Sequence, residues 1–145
     1  PPFIKPIGHY QAAAAFKKAL LRKRADWQAR YFLALCLLRL RQDKKALALL
    51  KRVAGTRPSA PQVQYSLGFA LYRRGAYHEA VGCLKKALRG TSVRLQALYT
   101  LALCFCCQKR FGEGRRIFRR LLRSKGNQKM RQLARIRLRQ IRSIQ

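Results

Sequence analysis

Acidic residues are almost missing from this chain. Its 145 residues include only four of them, against 34 lysines and arginines, so the net charge is +30. Charge of a single sign repels itself in a compact chain, whereas ordinary soluble domains mix both signs on their surface. We therefore expect the protein to lie against something anionic, such as nucleic acid, an acidic protein or an anionic lipid surface.

Other absences narrow the class of protein. The four carboxylates are scattered along the sequence, which leaves no acid pair for general acid–base catalysis. There is no glycine-rich phosphate-binding loop after a strand. Cys104 and Cys107 are spaced as C-x-x-C, but no second pair accompanies them and the chain has only two histidines, whereas structural zinc takes four ligands. We predict that the chain is not an enzyme and has no metal or cofactor.

Long apolar runs and an even cysteine count are also missing. No stretch is long and apolar enough to span a bilayer. The five cysteines are odd in number and cluster on predicted helices, unlike a disulfide framework. This pattern predicts an intracellular, reducing compartment, the cytoplasm or an organelle matrix.

A period of 34 residues runs through the chain. The pairs Leu33-Ala34, Leu67-Gly68 and Leu101-Ala102 follow one another at that step. A second column of small residues and a third of large apolar ones keep the same step: Ala46, Ala80 and Gly114, then Leu50, Leu84 and Phe118. Small residues allow two helices to approach closely, and large ones fill the gaps between neighbouring repeats.

This pattern resembles the tetratricopeptide repeat, a helix–turn–helix unit of 34 residues. The middle copy matches best, through Leu67, Gly68, Gly75, Tyr77 and Ala80. The slot that holds tryptophan in the family departs from the pattern and contains Arg30, Gln64 and Leu98. The resemblance implies an all-α, right-handed superhelix of antiparallel helix pairs.

The period divides residues 1–145, taken as a single domain, into repeats. We predict a leading half-repeat at 9–24, repeats at 27–60, 61–94 and 95–128, and a capping helix at 128–143. Within the repeats, we predict helices at 27–41, 44–55, 61–74, 77–89, 94–108 and 111–124. The half-repeat leads us to expect that further repeats lie upstream.

The resemblance also implies that the first helix of each repeat lines a concave groove. Steps of three and four place one set of side chains on a single face of each first helix. These are Gln28, Tyr31, Leu35, Gln62, Tyr65, Phe69, Tyr72, Gln96, Tyr99 and Leu103. The tyrosines either pack between neighbouring helices or form an aromatic ladder for an extended peptide or a helix of a protein partner.

Basic residues recur in pairs on the second helix of each repeat. Together with the C-terminal helix they form the candidate RNA-binding surface: Lys17, Lys18, Lys51, Arg52, Lys85, Lys86, Arg115, Arg116, Arg119, Arg120, Arg123, Arg131, Arg135, Arg139 and Arg142. A solvated face is the alternative, but solvation alone would be served by mixed signs. Arginine is favoured where phosphate is bound in two-point geometry.

These features favour a non-enzymatic scaffold subunit of a large RNA-containing assembly, such as a ribosome. Its basic outer face would lie against phosphates, and its aromatic groove would hold a protein segment. The alternative is an interaction adaptor that binds an acidic or amphipathic peptide, or a protein attached to the surface of an anionic membrane.

Overall fold

The computed structural model describes residues 7–22 and 26–144 and shows an all-α chain in that part. Eight helices follow one another there without a strand. They are α1 (Ile7–Arg22), α2 (Trp27–Arg39), α3 (Asp43–Thr56), α4 (Pro61–Arg73), α5 (Tyr77–Ala87), α6 (Arg94–Cys107), α7 (Phe111–Arg123) and α8 (Gln128–Ile144). The fold class is confirmed, and the helix bounds lie within two residues of the predicted ones. The predicted end of the first helix, at residue 24, lies outside the described residues.

The turns between the two helices of each repeat share one backbone geometry. Arg41, Gly75 and Lys109 stand at equivalent positions with φ of 60°, 80° and 61°. Just beyond them, a backbone N–H reaches back to the first helix: Gln42 to Leu37, Ala76 to Leu71 and Arg110 to Phe105, at 2.9, 2.9 and 2.8 Å. This left-handed cap ends a helix in a sharp reversal. It folds the second helix of each repeat antiparallel to the first.

Small residues bring the paired helices into close contact. Ala34, Ala46, Ala80 and Ala102 are all fully buried. A Cβ atom placed on Gly68 would lie 2.7 Å from Cγ of Leu84, so only glycine fits that contact without displacement. The large slots of the repeat, Leu50, Leu84 and Phe118, are likewise fully buried. Leu50 and Leu84 lie in one apolar cluster, and Phe118 lies in a second one toward the C-terminus.

Replacing Ala80 by leucine should lower the free energy of unfolding by about 1–3 kcal/mol, because the larger side chain overpacks a contact with no spare volume. The side chain of Ala80 is completely buried on α5, against α4. Urea unfolding followed by circular dichroism measures the change. Ala48, which is exposed on α3, gives a matched control, since Ala48→Leu should change stability by less than about 0.5 kcal/mol.

The last helix takes the place of a further first helix. It packs on α7 and α6, just as α6 packs on α5 and α4. Met130, Ala134 and Ile141 are its buried residues, while its remaining faces are rich in arginine. Helix α8 therefore covers the apolar end of the stack and extends the concave side by one helix.

Candidate functional site

The tyrosine column crosses the boundaries between repeats. The Tyr31 hydroxyl lies 3.1 Å from Oγ of Ser66 on the next first helix. Burial raises the pKa of Tyr65, and a hydrogen bond with Thr100, on the following first helix, opposes that rise. Nε of Arg137 on α8 donates to the Tyr99 hydroxyl at 3.1 Å. The hydroxyls thus link neighbouring repeats, as the packing interpretation expects, while the rings of Tyr31, Tyr65 and Tyr99 are partly buried.

Helix α4 places a row of aromatic rings along the groove. The ring of Tyr65 is 6.2 Å from that of Phe69, which is 6.5 Å from Tyr72. The row continues onto α5, where Tyr77 lies 6.0 Å from Tyr72. All four rings are partly buried. Offset and tilted pairs at these distances are the geometries that aromatic side chains prefer, so the row is held in a defined arrangement.

Two arginines that the sequence analysis did not select stand in this groove. A cavity of about 370 Å³ is lined by Leu35, Leu38, Arg39, Tyr65, Ser66, Phe69 and Arg73. Arg73 is fixed there, because it pairs with Asp43 at 2.8 Å and donates to the carbonyl of Leu38 at 2.9 Å. Arg39 and Arg73 are 34 residues apart. Their recurrence was therefore a signal in the sequence that could have identified them.

A second cavity lies at the C-terminal end of the groove. It has a volume of about 420 Å³ between α6, α7 and α8, and its polar lining includes Lys109, Arg137 and Gln140. Five of the ten predicted groove residues line one of the two cavities. Leu35, Tyr65, Phe69, Tyr72 and Leu103 line one or the other, whereas Gln28, Tyr31, Gln62, Gln96 and Tyr99 line neither. Gln28 and Gln62 are exposed near the starts of their helices.

The predicted basic surface is largely exposed. Thirteen of its fifteen side chains are exposed, and the other two, Arg115 and Arg131, are partly buried. Two salt bridges join described residues, Asp43 with Arg73 and Glu113 with Arg110. Neither involves one of the thirteen exposed side chains. The positive charge of these side chains is therefore not offset by those ion pairs.

The five cysteines are free thiols in different environments. Cys36 and Cys104 are buried, Cys83 and Cys106 are partly buried, and Cys107 is exposed. Burial raises the pKa of Cys104 to about 12, and the neighbouring Cys107 adds to the effect. Among the described residues, no three or more histidine, cysteine or acidic side chains come together as a possible metal site.

Cys107 should react with iodoacetamide in the folded protein much faster than Cys104. Thiolate is the reactive form, and a pKa of about 12 keeps Cys104 protonated throughout the range from pH 7 to pH 10. Raising the pH within that range should therefore leave Cys104 unmodified. Mass mapping of the alkylated peptides gives both rates, and the unfolded protein, in which all five thiols should react, is the control. Equal rates in the folded protein would contradict this assignment.

The fold and the repeat geometry together define a tetratricopeptide-type solenoid. A sequence model of the family described as anaphase-promoting complex, cyclosome, subunit 3 matches residues 7–87 and again residues 44–121, more than half of the chain. The chain therefore belongs to this family of tetratricopeptide-type repeats. Membership makes it a helical-repeat scaffold for protein–protein interaction. No curated protein matches the sequence.

Solved structures show the same architecture. YrrB, a TPR protein with an unusual peptide-binding site, has a TM-score of 0.78 at 17% identity over 92% of this chain and 69% of that one. MamA from Desulfovibrio magneticus RS-1 gives 0.74 at 19% identity over 83% and 68%. MamA from AMB-1 gives 0.66 at 22% over 75% and 60%. This chain spans about two thirds of their length, and at these identities the likeness shows the fold alone.

None of the helices in the described part of the chain is long and apolar enough to cross a membrane.

Proposed function

We propose that this chain is a non-enzymatic scaffold subunit of an RNA-containing assembly. Its basic outer face lies against RNA phosphates while its groove holds a segment of a partner protein. One observation carries the proposal: thirteen exposed basic side chains follow the second helices and α8, and neither salt bridge described above neutralises any of them. A charged surface of this kind suits contact with a sugar–phosphate backbone, which is repetitive and anionic.

The composition of the surface favours phosphate over carboxylate. Arginine dominates its C-terminal part, with Arg116, Arg119, Arg120 and Arg123 on α7 and a further set on α8. The guanidinium group binds phosphate through two parallel hydrogen bonds, and its flat face stacks on bases. Lysine would supply the same charge without either property.

Competition between polyanions tests the proposal. The protein is bound to a fluorescent structured RNA, and unlabelled RNA or polyglutamate is added at equal total charge. We expect RNA to displace the probe at a lower concentration than polyglutamate, because polyglutamate offers neither phosphates nor bases. Equal competition by polyglutamate would contradict RNA docking.

A second candidate function, an adaptor for an acidic or amphipathic protein segment, is favoured by the groove. Arg39 and Arg73 stand beside the apolar side chains of Leu35, Leu38 and Phe69 in one cavity. Such a cavity complements a segment that carries apolar and acidic residues together. This function is compatible with RNA on the outer face, since the groove and the second helices are different surfaces.

Substitution of Tyr65 and Phe69 by alanine should weaken binding of the groove partner by about 1–4 kcal/mol, because buried aromatic anchors carry much of the energy of such contacts. The affinity is measured by titration calorimetry with the protein segment that co-purifies with the chain after nuclease treatment. Stability must be measured in parallel, because Tyr65 also contacts Thr100.

His78→Ala is the control for this experiment, since His78 is exposed on α5, is not one of the groove residues and lines neither cavity. It should leave the affinity unchanged. A folded double variant that binds as well as the wild type would assign the aromatic row to packing alone.

A further inference from the structure

The third repeat lacks two aromatic rings that the second repeat has. Phe69 and Tyr72 on α4 correspond, 34 residues on, to Leu103 and Cys106 on α6. In the second repeat the two rings lie 6.5 Å apart, and Tyr72 continues the row to Tyr77. A leucine and a cysteine in the same slots are smaller and contain no ring.

Both of the smaller residues line the C-terminal cavity. The apolar lining also includes Tyr72, Phe111, Phe118, Ile141 and Ile144. The volume of about 420 Å³ lies in the range of sites that accept a ligand or an anchoring side chain. Ile144 is 66% exposed, so the apolar lining reaches the surface.

The residues in the wall of this cavity also differ from the residues at the equivalent positions of the first repeat interface. Each of two wall positions recurs every 34 residues along the chain. The first pair of residues at these positions is Asp43 with Arg73, which form an ion pair. The third pair is Phe111 with Ile141. Arg73 lines the first cavity, and its Cζ lies 5.6 Å from the ring centre of Phe69. At the C-terminal cavity the apolar side chain of Ile141 takes the position that Arg73 has at the first cavity.

Positive charge borders this apolar space. Arg137 is held in place by two hydrogen bonds, from Nε to the Tyr99 hydroxyl at 3.1 Å and from Nη1 to Gln140 at 3.0 Å. Lys109 lies at the left-handed turn between α6 and α7 and is exposed. The lining contains no aspartate or glutamate. An apolar floor with cations at its edge complements a ring that has a carboxylate beside it.

We propose that the C-terminal cavity binds an aromatic side chain of a partner protein, with an adjacent carboxylate of the same partner paired to Arg137 and Lys109. The partner's ring occupies the space that Tyr72 fills from within in the second repeat. The Cys106 sulfur and the Phe111 ring provide the contacts that aromatic groups favour. This inference rests on the proposed function of the groove as the binding site of a protein segment, and it names one feature of that segment.

Three synthetic peptides test the chemistry of the site. The probe is fluorescein-labelled Ser-Glu-Asp-Phe-Glu-Asp-Ser, compared with the same peptide containing Ala for Phe, and with a version in which every acid is replaced by its amide. Fluorescence anisotropy measures each affinity. We expect the alanine peptide to bind about 30-fold more weakly, as for a central aromatic anchor, and the amide peptide about tenfold more weakly. Equal binding of the Phe and Ala peptides would overturn the proposal.

A variant that fills the cavity from within tests the location. Cys106→Tyr with Leu103→Phe restores the residues that the second repeat carries in these slots, so this variant should fold. It should weaken the Phe peptide about 30-fold. Leu21→Phe makes the same Leu-to-Phe change at a residue that is 79% exposed on α1 and lines neither cavity, and it is the matched control. It should leave the affinity unchanged, and thermal unfolding by circular dichroism shows that each variant is folded.

Arg137→Gln provides an independent reading, because it removes a positive charge from the cavity lining and adds no bulk to it. It should weaken the Phe peptide about tenfold and leave the amide peptide unaffected. If the filled variant and Arg137→Gln both bind the Phe peptide normally while Tyr65→Ala with Phe69→Ala weakens it, the cavity assignment is wrong and the groove function stands. If none of these changes alters binding, the groove function fails as well.

A second copy of this chain is the competing occupant. Sedimentation velocity of the wild type and of the filled variant distinguishes it. A wild-type dimer that becomes monomeric when the cavity is filled would overturn the assignment to a different partner protein, whereas two monomers support it.

Discussion

Replacement of Phe118 by alanine should lower the free energy of unfolding by about 3–5 kcal/mol, the cost of deleting a buried phenyl ring and leaving its space empty. Phe118 is the largest of the fully buried side chains in the described part of the chain and is 0% exposed. It packs edge-on against Tyr99 at 5.8 Å and belongs to the apolar cluster that joins α6, α7 and α8. Surrounding helices already in contact cannot close fully around the vacancy, so the cavity cost adds to the lost burial.

Urea unfolding followed by circular dichroism measures this loss. Ile136 on α8 is 45% exposed, and Ile136→Ala is the control for removing apolar volume at the surface. It should cost less than about 1 kcal/mol. A similar loss in both variants would mean that the C-terminal cluster is not the well-packed core seen in the structure.

The second large effect is expected on RNA binding. Substitution of glutamine at Arg119, Arg120, Arg135, Arg139 and Arg142 should flatten the log–log dependence of RNA affinity on salt by up to about 4 units. Each neutralised phosphate contributes about 0.7–0.9 to the slope. All five side chains are exposed, so their replacement should leave the core intact. Filter binding across a range of salt concentrations gives the slope.

A control with the same change of charge separates the surface from the net charge. Glutamine is placed instead at five exposed basic residues around the turns between first and second helices, namely Arg41, Lys44, Lys45, Arg74 and Lys109. This variant should keep most of the salt dependence, since these side chains lie outside the proposed RNA-binding surface. Equal flattening in both variants would show that total charge, rather than the outer face, governs binding.

Much of the fold could be predicted because the physical rule behind it repeats. A small residue at 34, 68 and 102 and another at 46, 80 and 114 fix where two helices touch, and three copies in register leave few other arrangements. Gly75 also matches the repeat pattern, and glycine is the residue best suited to the positive φ of the turn there. Arg41 and Lys109 adopt the same conformation without that signal, so the repeat revealed it and residue type did not.

The candidate groove was less accessible from the sequence. The aromatic column could be predicted because it recurs every 34 residues. The sequence also predicted the alternative, in which the tyrosines pack between neighbouring helices. The ion pair of Asp43 with Arg73 joins α3 to the end of α4, and a pairing of two different elements leaves no periodic trace. The C-terminal cavity depends on what is missing at Leu103 and Cys106. Smaller side chains at these two positions predict a cavity only when the positions of the neighbouring helices α7 and α8 are known.

The hydroxyl groups that cross repeat boundaries bear on how the stack comes apart. In a linear array, each unit is stabilised by its own contacts and by the interface with its neighbour. Tyr31 and Tyr65 add a hydrogen bond at successive interfaces, through Ser66 and Thr100. At the interface between α1 and α2, the position that corresponds to Ser66 and Thr100 holds Phe32. Phe32 stacks on Phe16 at 5.6 Å and has no hydroxyl. The interface between α1 and α2 should therefore open more readily than the next two interfaces, so that the repeats from α4 onward, where the arginines are concentrated, keep their structure longer than α1 does.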